Sequence, residues 1–196
     1  MSRHPVIVRI THWLNAVAMI CLIMSGWLIY DASPLFGFSF PRWATLGGWL
    51  GGAIAWHFAA MWLLVVNGGI YLLWGAVTGH FARRLFPIRA GDVWRDFRDA
   101  LHLRLVHDDG YNSVQRLFYV GTIGLGVLAF ASGLSLWKPV QLHALTAAFG
   151  GYETARRVHF AAMSGIVLFL LVHLALVAIV PQTLLAITYG RAAAKR

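Results

Sequence analysis

The sequence predicts an all-α integral membrane protein, a four-helix bundle with both termini on the cytoplasmic side. Three observations carry that reading. Of 196 residues, 59% are hydrophobic and 12% charged, about half the charged share of a soluble domain. The apolar residues are gathered into four blocks, each long enough to cross about 30 Å of hydrocarbon. Lysine and arginine are divided unequally between the segments that join those blocks.

The first block runs from about Ile10 to Tyr30, behind Arg3 and Arg9. A basic start and an apolar middle are also features of a signal peptide. This block, however, has about 20 residues and no clear small-x-small exit before Tyr30-Asp31, so it is expected to be a retained span. The second runs over about 46–77, the third over 115–137 and the fourth over 157–181. One membrane domain, 1–196, is expected. With four spans both termini share a side.

The positive-inside rule names that side. Arg3, Arg9, Arg83, Arg84, Arg89, Arg95, Arg98, Arg104, Arg116, Arg191, Lys195 and Arg196 fall together, whereas Arg42, Lys138, Arg156 and Arg157 fall opposite. The richer side is cytoplasmic. The net charge of +9 is then topology plus attraction to anionic membrane lipid, and no nucleic-acid partner is expected.

Between the second and third spans, residues 92–106 set Val93, Trp94, Phe97, Leu101 and Leu105 near one helical face, with Arg95, Asp96, Arg98, Asp99 and Arg104 around the rest. That pattern fits an amphipathic helix on the cytoplasmic interface, or equally a solvated connector. The first loop, with Pro34, Leu35, Phe36, Phe38, Phe40, Pro41 and Trp43, is aromatic and stiff. It fits the sealing of a cofactor edge, a docking surface or an interfacial aromatic belt. No internal repeat or low-complexity segment is present.

The chemistry lies in the histidines. His159 and His173 are 14 residues apart in the fourth span, so they share a helical face about 21 Å apart along the axis. One metal ion cannot bridge that distance. With the topology above, His12 lies near the inner end of the first span and His57 in the outer half of the second. Depth therefore pairs His57 with His159 outside and His12 with His173 inside. Two imidazoles at one level suit the iron of a bis-histidine b-type haem, and two such pairs suit two haems. A transported zinc or copper ion would call for carboxylates or thiols at one depth, which the spans scarcely supply. Cys21 is the single cysteine, so a covalent c-type haem, which requires Cys-x-x-Cys-His, is excluded. Ala16, Gly26, Gly51, Gly52, Ala161, Ala162, Ser164 and Gly165 leave room for a macrocycle or for close helix packing. Arg9, Arg156 and Arg157 lie within a turn of a histidine, placed for haem propionates or for interfacial anchoring. His4, His80, His102, His107 and His143 are expected outside the site. No residue set for catalysis stands out.

Thr11-His12-Trp13, His57, and Arg157-x-His159 followed by His173 resemble the bacterial cytochrome b561 and nickel-iron hydrogenase cytochrome b superfamily across all four spans. Tyr111-Asn112-x-x-Gln115-Arg116 is similar to a motif of the gamma subunit of membrane formate dehydrogenases. The resemblance implies the same haem pairing and a cytoplasmic-side quinone pocket corresponding to Asn112 and His173. Gln115 could add a donor there and Tyr111 a stacking surface. Where that family usually carries glycine this chain has Val114, whose branched side chain would border the pocket. Asn112 equally suits the N-cap of the third helix. The implied function is electron transfer across the bacterial inner membrane between the quinone pool and an extracytoplasmic oxidoreductase, a periplasmic molybdopterin enzyme foremost. The alternatives are a standalone superoxide:ubiquinone oxidoreductase and a non-redox scaffold whose histidines serve packing.

Overall fold

The structure, a computed structural model, describes residues 5–85, 87–101 and 112–190. Among them every regular element is helical: α1 (Val6–Asp31), a 3₁₀ turn (Arg42–Ala44), α2 (Leu50–Val77), α3 (His80–Leu85), α4 (Ala90–Leu101), α5 (Ser113–Trp137), α6 (His143–Ala148), α7 (Tyr152–Ile179) and α8 (Gln182–Tyr189). Among the described residues α1, α2, α5 and α7 are long and apolar enough to cross a membrane.

Local chemistry sets the boundaries. α1 starts at Val6, ahead of the apolar block, because Pro5 at its N-cap already has a compatible φ of −55° and has no N–H to satisfy. α2 starts at Leu50 because Gly47, at φ 117°, turns the chain and packs its carbonyl against Gly52. α5 opens on a capping box. Asn112 Oδ1 accepts from Gln115 N at 2.7 Å, and Gln115 Oε1 accepts from Asn112 N at 3.2 Å. α7 opens after Gly151, at φ 98°, and closes before Pro181, which drives Val180 out of the helical region to φ −123° and ψ 71°.

The chain forms two compact units, the first built on α1, α2 and α8, the second on α3 to α7. In the first unit α1 and α2 pack antiparallel, since Gly26 faces His57 at one end and Thr11 meets Asn67 at the other. Ala18, Ser25 and Ala53 are fully buried between them, while Val17, Ile20, Trp62 and Val66 stay exposed. Small side chains inside and large apolar ones outside is the arrangement of helices packed in lipid. The first loop folds back on the end of α1. Trp27 and Phe40 stack with centroids 4.5 Å apart, and Asp31 Oδ1 accepts from Phe40 N at 2.8 Å. Arg9 near the start of α1 donates to the carbonyls of Ile187 and Thr188 at the end of α8.

In the second unit α5 and α7 pack antiparallel over a core of Ala155, Ala162, Ile166, Ser132 and Ser135. A Cβ on Gly165 would come 3.0 Å from Leu125 Cδ1, so this glycine is used to bring α7 against α5. α4 stacks Trp94 on Phe97 with both exposed, and ties itself to α5 by Asp96 Oδ2, which accepts from Ser113 N at 2.7 Å. Positions 102–106 of the expected amphipathic segment lie outside the described residues.

Candidate functional site

Each unit carries two of the four candidate histidines, at two levels. In the first unit His57 of α2 meets the Ser25-Gly26 turn of α1. From position 12 to position 25 is 13 residues, which separates His12 from the level of His57 by about 20 Å along the helix. In the second unit His159 and His173 lie about 21 Å apart on α7. The two hairpins thus offer imidazoles at matching intervals, and all four rings are half-buried.

His57 and His159 are held alike. Ser25 Oγ lies 3.0 Å from His57 Nδ1, and Ser132 Oγ lies 3.2 Å from His159 Nδ1. Both hydroxyls also contact carbonyls of their own helix, Ser25 with Cys21 O at 2.5 Å and Ser132 with Leu128 O at 2.7 Å. A serine has one proton to give; donated to the carbonyl, it leaves the oxygen as acceptor for the imidazole N–H. His159 Nδ1 also lies 2.9 Å from Ala129 O. A carbonyl can only accept, so Nδ1 carries the hydrogen and Nε2 the lone pair. That is the tautomer an iron ligand needs.

In the first unit His12 stands edge-on to Trp13, with centroids 5.3 Å apart, and in the second His173 stacks on Phe169 at 5.8 Å. Beside His12 the buried Asn67 of α2 reaches α1: its Nδ2 donates to Thr11 O at 2.8 Å and to Asn15 Oδ1 at 2.6 Å. The Nδ1 contacts of His57 and His159, with a glycine against each ring, fit b-type haem.

Arg156 pairs with Glu153 at 3.5 Å, and Arg157 is exposed one position on. Arg9 holds the end of α8, although a guanidinium has five donors and two carbonyls do not exhaust them. Asn112 and Gln115 form the α5 cap, and Tyr111 lies outside the described residues. Of the small residues expected beside a macrocycle, Gly51 packs on Trp49, Gly52 on Gly47 and Gly165 on Leu125, whereas Gly26 faces His57. Sequence reasoning missed Ser25, Ser132, Gly133 and Asn67. A Ser-Gly pair inside two separate apolar blocks was the available signal.

Four apolar helices with histidines so held define a membrane cytochrome of the b type, an electron-transfer protein. The chain belongs to the prokaryotic cytochrome b561 family, whose model matches residues 3–190. It is 51% identical over 189 residues to the "Putative protein-methionine-sulfoxide reductase subunit YedZ1" of Azospira oryzae, covering 95% of this chain and 96% of that one. It is 27% identical over 191 residues to the "Probable Ni/Fe-hydrogenase B-type cytochrome subunit" of Azotobacter chroococcum, covering 87% of this chain and 77% of that one. A hydrogenase 1 cytochrome subunit of Escherichia coli is also 27% identical, over 150 residues, covering 72% of this chain and 62% of that one.

Proposed function

We propose that the protein carries electrons across the bacterial inner membrane, from the quinone pool to an extracytoplasmic reductase acting on methionine sulfoxide in proteins. The observation that supports this most is the matched interval of about 20 Å between imidazoles in each of two helical hairpins. In this reading the four spans form one bundle with both termini cytoplasmic. His57 and His159 then hold an outer b haem and His12 and His173 an inner one. Held by such histidines, haem b would supply one-electron transfer.

The remaining work falls to the chain's own side chains. Ser25, Ser132 and the Ala129 carbonyl hold the outer imidazole protons on Nδ1. Arg156 and Arg157 would neutralise propionates at the outer level and Arg9 at the inner. Tyr111, Asn112, Gln115 and His173 would hold a quinol near the inner level by hydrogen bonds to its two oxygens.

The name of the 51% relative, a putative reductase subunit, supports this direction. Reducing a sulfoxide to a thioether takes two electrons and two protons and releases water, so the partner consumes electrons. A molybdopterin enzyme is the partner class we favour. Two experiments test this. A reduced-minus-oxidised spectrum of the purified protein should show b-type bands; their absence ends the proposal. Membranes containing the protein and its reductase should then reduce a methionine sulfoxide peptide with quinol as donor, and membranes lacking this chain should not.

A further inference from the structure

We propose that Ser25 and Ser132 are positioning residues that set the electron density His57 and His159 present to iron, Ser25 by holding the Nδ1 proton of His57 and Ser132 by adding a second acceptor to the Ala129 carbonyl at Nδ1 of His159, an inference that rests on the haem-ligand reading above. The same seat is built twice, on different helix pairs. In each, a serine fully buried in one helix presents its oxygen to Nδ1 of a histidine on the antiparallel neighbour. In each, the next residue is glycine, and the ring lies over it. A Cβ on Gly26 would stand 3.4 Å from His57 Cε1, and one on Gly133 would stand 3.1 Å from His159 Cε1.

Packing alone does not require a hydroxyl in these places, because alanine is of similar size and already fills the neighbouring buried positions Ala18, Ala53, Ala155 and Ala162. What alanine lacks is the oxygen. The two Ser25 contacts to Cys21 O and Leu22 O, and the two Ser132 contacts to Leu128 O and Ala129 O, engage the single hydroxyl proton within its own helix. The lone pairs are thereby turned to the imidazole N–H. A hydrogen bond from Nδ1–H gives the ring imidazolate character, makes Nε2 a stronger donor and favours ferric iron. Its loss raises the reduction potential.

The test uses the full-length protein in detergent. Ser25→Ala, Ser25→Thr, Ser132→Ala and Ser132→Thr are each followed by redox titration of the haem bands. Ser25→Ala should raise the potential of whichever haem His57→Ala removes, and Ser132→Ala should raise that of whichever haem His159→Ala removes by a smaller step, because the Ala129 carbonyl still accepts from His159 Nδ1, the other haem staying at its wild-type value in each case. The threonine variants, which keep the oxygen and its bond to the helix, should restore wild-type potentials. If an alanine variant loses that haem altogether, retention by the threonine variant supports the role. Unchanged potentials in the alanine variants overturn the inference and leave the haem reading standing. So do equal shifts, or equal loss of haem, in alanine and threonine variants. Wild-type protein without b-type bands overturns both together.

Discussion

Asn67 of α2 donates to the backbone carbonyl of Thr11 on α1, one residue before His12, and to Asn15 one turn later. The pair of bonds fixes the register of the first hairpin beside a candidate ligand. Removing Asn67 leaves Asn15 Oδ1 without this donor among packed apolar helices. Asn67→Leu should therefore lower unfolding stability by about 1 kcal/mol, the scale of interhelical hydrogen bonds in membranes. Thermal unfolding in detergent measures it, and an unchanged midpoint would show that the register is set by the alanine seam alone.

The proposed pairing of ligands predicts a pattern of haem loss. His12→Ala and His173→Ala should each remove one and the same haem, and His57→Ala and His159→Ala the other. Haem content with low-temperature optical spectra distinguishes the two. Loss of different haems within a pair would refute the match by level.

Asn112 has two tasks assigned to it, and they can be separated. Asn112→Ala should lose the cap and cost about 1 kcal/mol of stability. Asn112→Asp keeps an acceptor for Gln115 N, so stability should be retained, yet it removes the amide N–H that would donate to a quinol hydroxyl oxygen. Quinol oxidation should then fall at least tenfold. If turnover by Asn112→Asp equals wild type, Asn112 is a cap and nothing more.

The two glycine seats differ in tightness. Gly133→Ala would place a methyl group closer to His159 than ordinary contact distance, whereas Gly26→Ala would reach His57 at the edge of it. Gly133→Ala should therefore perturb the spectrum of its haem more than Gly26→Ala does. Equal spectra for both variants would argue that the rings shift freely.

The four long apolar helices were legible because hydrocarbon imposes a length and an apolarity that any window of sequence displays. The four histidines were legible as strongly polar groups inside those windows. Their Nδ1 partners were not, because Ser25 is 32 positions from His57 and Ser132 is 27 positions from His159. A serine inside a span reads as an ordinary small residue until its neighbour helix is known. Asn67 was hidden for the same reason. The α5 cap was legible, since Asn112 and Gln115 are local and their spacing is that of a capping box. The same residue types also suited a quinone, and local spacing cannot choose between two uses of one amide.

The contact of Arg9 with Ile187 and Thr188 links residues from the two ends of the chain. Its consequence concerns the order of assembly. The unit containing α1 and α2 also takes in α8, so it stays incomplete until α8 has left the ribosome. The unit of α3 to α7 is continuous in sequence and can close earlier, although its synthesis begins later. Of the two histidine-bearing hairpins, the one begun first is finished last.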